Sequence, residues 1–71
     1  MDVFARVDWR DGSVVFFDPR THIVVREVQP LGGSGRARGV DVQGDRAMIT
    51  TEEGRRELWS IASYTYIRDL D

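Results

Sequence analysis

Turn signals cut this chain into short pieces. Asp11-Gly12, Asp18-Pro19, Gly44-Asp45 and Glu52-Glu53-Gly54 punctuate its 71 residues before any run of strand formers grows long. Asp-Gly supplies the positive φ that a tight hairpin turn needs; Pro19 fixes φ, and Asp18 can bond its own backbone two residues on. Between these signals stand "VFARVDW", "VVFFD", "IVVREV", "GVDVQ" and "RAMITT". In the first, Val3, Ala5, Val7 and Trp9 share one face, Arg6, Asp8 and Arg10 take the other, and Phe4 interrupts the alternation. "VVFF" is apolar on both faces, which marks a strand covered from both sides. The first three segments predict an antiparallel meander, and "GVDVQ" with "RAMITT" predicts a hairpin across Gly44-Asp45.

The segment "RRELWSIASYTYIRDL" admits two readings. A single strand puts Trp59, Ile61, Thr65 and Ile67 on one face and Leu58, Ala62, Tyr64 and Tyr66 on the other. A helix would start at Thr50, with Glu53 three residues on and Leu58, Ile61, Ala62 and Thr65 at helical spacing. Gly54 would then cost about 1 kcal/mol inside the helix, and Tyr-Thr-Tyr-Ile are strand formers. The strand is preferred, because it also makes "ITTEEGRREL" an ordinary hairpin. Residues 1–71 then form one all-β domain: a small, strongly bent antiparallel β-barrel, SH3-like or OB-like, of five to six strands. Such a barrel closes most of its own edges.

A chain this short buries only about 60% of the surface its unfolded form exposes. It contains no cysteine, so neither a disulfide nor a thiolate zinc site adds stability. The core must be efficient, or the protein must gain burial by pairing with another chain. A hydrophobic share of 41% is that of a globular domain rather than a disordered tail. No apolar run reaches the ~20 residues of a membrane span and no secretory h-region opens the chain, so no membrane partner and a cytoplasmic location are expected. All ten basic residues are arginine, with no lysine and no asparagine, the mark of a GC-rich genome of bacterial type. The net charge of −2 divides evenly about Gly35. A dedicated duplex-DNA binder shows a basic footprint, and none is present.

"LGGSGRARG", residues 31–39, raises the question of a phosphate cradle. A cradle needs its glycines between a strand and a helix N-terminus. This stretch lacks the Walker lysine and the GxGxxG spacing, and it runs into a strand. It is read as a mobile glycine-rich loop, although Gly-Gly-Ser-Gly also has the composition of an inserted spacer. Residues 32 to 36 are expected to be the least ordered internal segment, and shortening Gly32–Gly35 is expected to cost little. Arg36 and Arg38 on such a loop are candidates for contacting an anionic partner.

No catalytic residue, cofactor or metal is predicted. His22 is the only histidine. It sits near Asp18 and Thr21 with no nucleophile elbow anywhere, and is read as a polar residue at a turn edge. One histidine without cysteine cannot build a soft-ligand metal site, and Asp41, Asp45, Glu52 and Glu53 lack calcium-loop spacing. The aromatics point further. Trp59, Tyr64 and Tyr66 fall close together, flanked by Arg55, Arg56 and Arg68. Trp, Tyr and Arg are the hot-spot residues of protein interfaces; single-stranded nucleic-acid modules use the same set to stack bases and track the backbone. The acidic balance favours a non-enzymatic module acting through protein–protein contact. The alternative is a single-strand nucleic-acid binder using Arg55, Arg56, Tyr64 and Tyr66, and a subunit of a larger assembly such as a phage particle would look the same. One small barrel interior cannot take both faces of "VVFF" and "LWSIASYTYI", so homo-oligomerisation through the aromatic C-terminal segment is expected.

Overall fold

The computed structural model describes residues 3–70. Seven strands run in chain order: β1 (Phe4–Asp8), β2 (Ser13–Phe17), β3 (Val24–Val28), β4 (Ala37–Gln43), β5 (Arg46–Thr51), β6 (Arg56–Ser60) and β7 (Thr65–Asp69). They form two antiparallel sheets, β1-β2-β3 and β4-β5-β6-β7. No helix occurs among the described residues, and so none long and apolar enough to cross a membrane. The predicted meander and the β4–β5 hairpin are both present.

Seven strands stand where five to six are expected, and two further expectations are corrected. "RRELWSIASYTYIRDL" is neither one strand nor a helix; it is the hairpin β6–β7, turning through Ile61–Tyr64. A single strand over residues 55–67 would run about 43 Å at ~3.3 Å per residue, longer than the 32 Å longest dimension of the molecule. The turn lacks glycine and proline. Tyr64 itself takes positive φ, 54°, a conformation costly for a bulky residue and held here by packing of its ring edge-on against Phe16, centroids 5.2 Å apart.

The second correction concerns the barrel: the sheets do not close into one. β1 and β4 lie side by side as the edge strands of different sheets. The chain joins the sheets at one corner, where the Ala37 N–H donates to the Gly12 carbonyl at 2.8 Å. A bulge between Ala37 and Gly39 bends β4 where it leaves this corner, and no ladder continues from β1 to β4.

The core lies between the inner faces: Val14, Phe16, Ala37, Ala47, Ile49 and Trp59, with Val7, Val28, Val40 and Val42 packed against them. β2 is the centre of its sheet and buried from Ser13 to Phe16, as its two-faced apolarity predicts. Trp9 departs from the expected alternation. It falls beyond the end of β1, in the turn, and is 67% exposed. The accessible area, 4487 Å², matches the roughly 4,500 Å² of a compact monomer of this mass. Apolar surface left outside is therefore not a sign of loose packing.

Candidate interaction surface

The arginine and aromatic residues expected to form one surface are distributed over three environments. Trp59 is buried at 6% exposure, and its indole Nε1–H donates to Glu57 Oε1 at 3.0 Å. Tyr64 fills the gap between the sheets under the Arg26 guanidinium, 5.9 Å from its ring centre. Tyr66 packs edge-on to Trp59 and donates its hydroxyl to Asp69 at 2.9 Å. Arg55 bonds the same carboxylate. Only Arg56 and Arg68 remain as a pair on one open face. They lie on the outer side of the second sheet, beside Leu58, with Met48 and Arg46 on β5.

The glycine-rich loop is tied to the rest of the fold: its backbone N–H groups converge on anions, and those anions are this chain's own carboxylates. Glu57 is fully buried. Its Oε1 accepts from Leu31 N–H at 3.2 Å and its Oε2 from Gly32 N–H at 2.9 Å. Glu53 accepts from Ser34 N–H at 3.1 Å. Arg36 donates to Glu52 at 3.1 Å and to the Trp9 carbonyl at 3.0 Å, while Arg38 points to solvent from β4. A Cβ at Gly32 would run into the Arg55 guanidinium, and one at Gly33 into the Glu53 carboxylate. Both obstacles are ends of flexible side chains that can move aside; the firmer demand for glycine is at Gly33, whose φ is +60°.

Among the described residues, four carboxyl groups are held below their ordinary range. Hydrogen bonding from Arg10 does this for Asp8, from Ser13 for Asp11, from the Ser34 hydroxyl and N–H for Glu53, and from Tyr66 and then Arg55 for Asp69. A carboxyl with a lowered folded pKa adds stability above its unfolded value of about 4, and that stability is lost as pH falls through the folded value. All four groups are solvent-screened, so each contribution is small. Thermal melts should give a flat midpoint from pH 7 to about 5 and a declining one below about 4. A midpoint that rises on acidification would contradict these assignments.

Trp9, Leu31, Tyr66 and Ile67 are exposed at separate places, and the exposed apolar residues that cross-strand pairing sets together lie on the outer face of the first sheet. β1 directs Val3, Ala5 and Val7 to the core and therefore Phe4 and Arg6 outward. Phe4, Phe17 and Val24 form one cross-strand row, and Arg6, Val15 and Glu27 the next. Phe4 and Phe17 meet edge to face at 6.2 Å, and His22 stacks on Phe17 with an angle of 13° between rings. Phe4 is 56% and Ile23 63% exposed, and Val24 and Val25 are close to half exposed. Phe16 points inward and Phe17 outward, so β2 is apolar on both faces, but among the described residues no second layer covers the outer one. The Phe4 and "IVV" signals were present too, as breaks in the alternation. What they lacked was the register that sets them side by side.

Near the open ends of β1 and β4, a cleft of about 380 Å³ is lined by Val3, Phe4, Ala5, Val40, Val42, Gly44 and Ile61. None of these side chains is an acid, a base or a nucleophile. Among the described residues, no group of three histidine, cysteine, aspartate or glutamate side chains gathers as a metal-ligand set. Comparison with known proteins finds no family model, no curated relative and no solved structure that matches the chain.

Proposed function

We propose that this chain is a non-enzymatic β-sandwich-like module that works by protein–protein contact. The observation that carries the reading is the row Phe4, Phe17 and Val24 with Ile23 and Val25 beside it, a contiguous apolar patch on a protein whose total surface is already that of a compact monomer. Patches of this kind mark interaction sites on soluble proteins. The cleft near the open ends of β1 and β4 supports the same reading, since its lining offers apolar contact and no acid–base chemistry.

A second reading has one observation in its favour. Arg46, Arg56 and Arg68 stand around Met48 and Leu58 on the outer face of the second sheet, an arrangement suited to a phosphate backbone. With the aromatics turned inward or bonded to the chain's own groups, however, that face lacks the rings that stack bases.

Affinity capture from the native host, with the wild type against Phe4→Asp, tests the first reading. Proteins retained by the wild type and lost with the variant are expected. Identical capture by both chains would overturn it. Titration of single-stranded oligonucleotides across a salt series tests the second. Binding weaker than micromolar near physiological salt is expected, whereas submicromolar binding that falls steeply with salt and is lost in the Arg56→Ala, Arg68→Ala double variant would promote it.

A further inference from the structure

We propose that the partner of the first sheet's outer face is a second copy of this chain, related by a two-fold axis that runs along β2. The proposal rests on the protein-binding reading above and names its occupant. It follows from the way charge and apolar groups are arranged about the central strand.

On the outer face, β2 contributes Phe17 to the surface and Val15 beneath it, only 3% exposed, while β1 and β3 flank the strand. Arg6 lies beside Val15 on one side and Glu27 beside it on the other, in the same cross-strand row. No ion pair involving either Arg6 or Glu27 is present among the described residues. Glu27 receives only a long hydrogen bond, 3.4 Å, from the Ser13 hydroxyl. Both side chains are exposed.

Consider two such faces brought together. A two-fold axis along β2 lays β1 of one copy over β3 of the other. Arg6 then meets Glu27 of the second copy, and Glu27 meets Arg6 of the second copy, so one row supplies two ion pairs. The neighbouring row sets Phe4 over Val24 of the second copy, twice, with Phe17 against Phe17 at the centre. The face is thus its own complement in charge and in apolar character, which is what an isologous interface requires. Aligned packing of two sheets, at about 30°, keeps such rows together over a short face. A parallel shift by one row would set Phe4 against Glu27, so the charges also fix the register.

Size sets the strength. Three strands about 4.8 Å apart and five residues at about 3.3 Å each give a face of roughly 15 by 17 Å. That is small for an obligate dimer and fits a weak, reversible one. The expected species is a monomer at low micromolar concentration and a dimer at high micromolar concentration.

The test is sedimentation velocity on the full chain, with charge reversals at the two flanking positions. Arg6→Glu and Glu27→Arg should each weaken self-association by about tenfold or more, because each sets like charges together at two places. An equimolar mixture of the two variants should recover dimer, since every contact then joins opposite charges. The double variant should recover it as well, and Phe4→Ser should weaken association with no charge change at all. A wild type that stays monomeric at high micromolar concentration would overturn the self-pairing. The module reading would then still be decided by the capture experiment with Phe4→Asp. A wild-type dimer indifferent to both reversals would place the interface on another face and would equally overturn the proposal.

Discussion

Glu57→Ala is expected to lower the thermal midpoint by roughly 15 °C, about 3 kcal/mol for a domain of this size. The carboxylate is fully buried and accepts from the Leu31 and Gly32 backbones and from the Trp59 indole. Truncation leaves three donors facing a cavity, and an orphaned buried donor costs about 1–3 kcal/mol. Leu31 is at the surface and recovers water as a partner; Trp59 does not. The total stability of such a chain is only about 0.05–0.15 kcal/mol per residue, so the loss is a large fraction of it. Glu57→Gln keeps one acceptor oxygen and turns an amide N–H₂ toward one of the donors, and so should cost less than alanine while remaining destabilising. Removing two residues from Gly32–Gly35 breaks the same contacts from the other side and should also destabilise. Thermal unfolding followed by circular dichroism ranks the three. An alanine variant as stable as the wild type would show that the loop is not held by this carboxylate.

Gly12→Ala is expected to be at least as damaging, for a different reason. Gly12 has φ +74°, and an added Cβ would lie 2.6 Å from the Arg36 Cβ and 2.8 Å from its Cα. Main chain cannot step aside as a flexible side-chain end can. The same residue accepts the Ala37 N–H and donates to the Asp8 carbonyl, each at 2.8 Å, so any relief opens the corner that joins the two sheets. Left-handed backbone alone costs an L-residue about 1–2 kcal/mol, and overpacking adds typically 1–3. Gly44→Ala separates these contributions. Its φ is +59° with nothing within 4 Å of the added carbon, so it should show the backbone cost alone. Urea denaturation of both variants gives the difference directly. Equal losses would mean that the sheets adjust at the corner without strain.

Strand β2 and the hairpin across Gly44-Asp45 could be read from residues alone, because their causes are local. A two-faced apolar run has few places to go except the middle of a sheet, and Gly-Asp between alternating segments closes a turn whatever surrounds it. The β6–β7 turn was hidden because Tyr64 adopts a backbone conformation that residue preference disfavours, stabilised by Phe16 forty-eight positions away in sequence. A length check against the size of a domain this small would have exposed the over-long strand.

The loop and the surface followed the same division. Residue types said that Gly32–Gly35 could turn freely; only the fold brought Glu57 and Glu53 beneath their N–H groups. Residue types said that Trp59, Tyr64 and Tyr66 sit close in sequence; the register turned Trp59 inward and handed the Tyr66 hydroxyl to Asp69. By itself, the sequence determined an all-β chain of short antiparallel strands with more large apolar groups than one interior can hold, because strand preference and turn chemistry act over a few residues. Which apolar groups stay outside, and what lies beside them, was decided by the tertiary structure. Phe4, Phe17 and Val24 come from three different strands, and only cross-strand pairing sets them in one row.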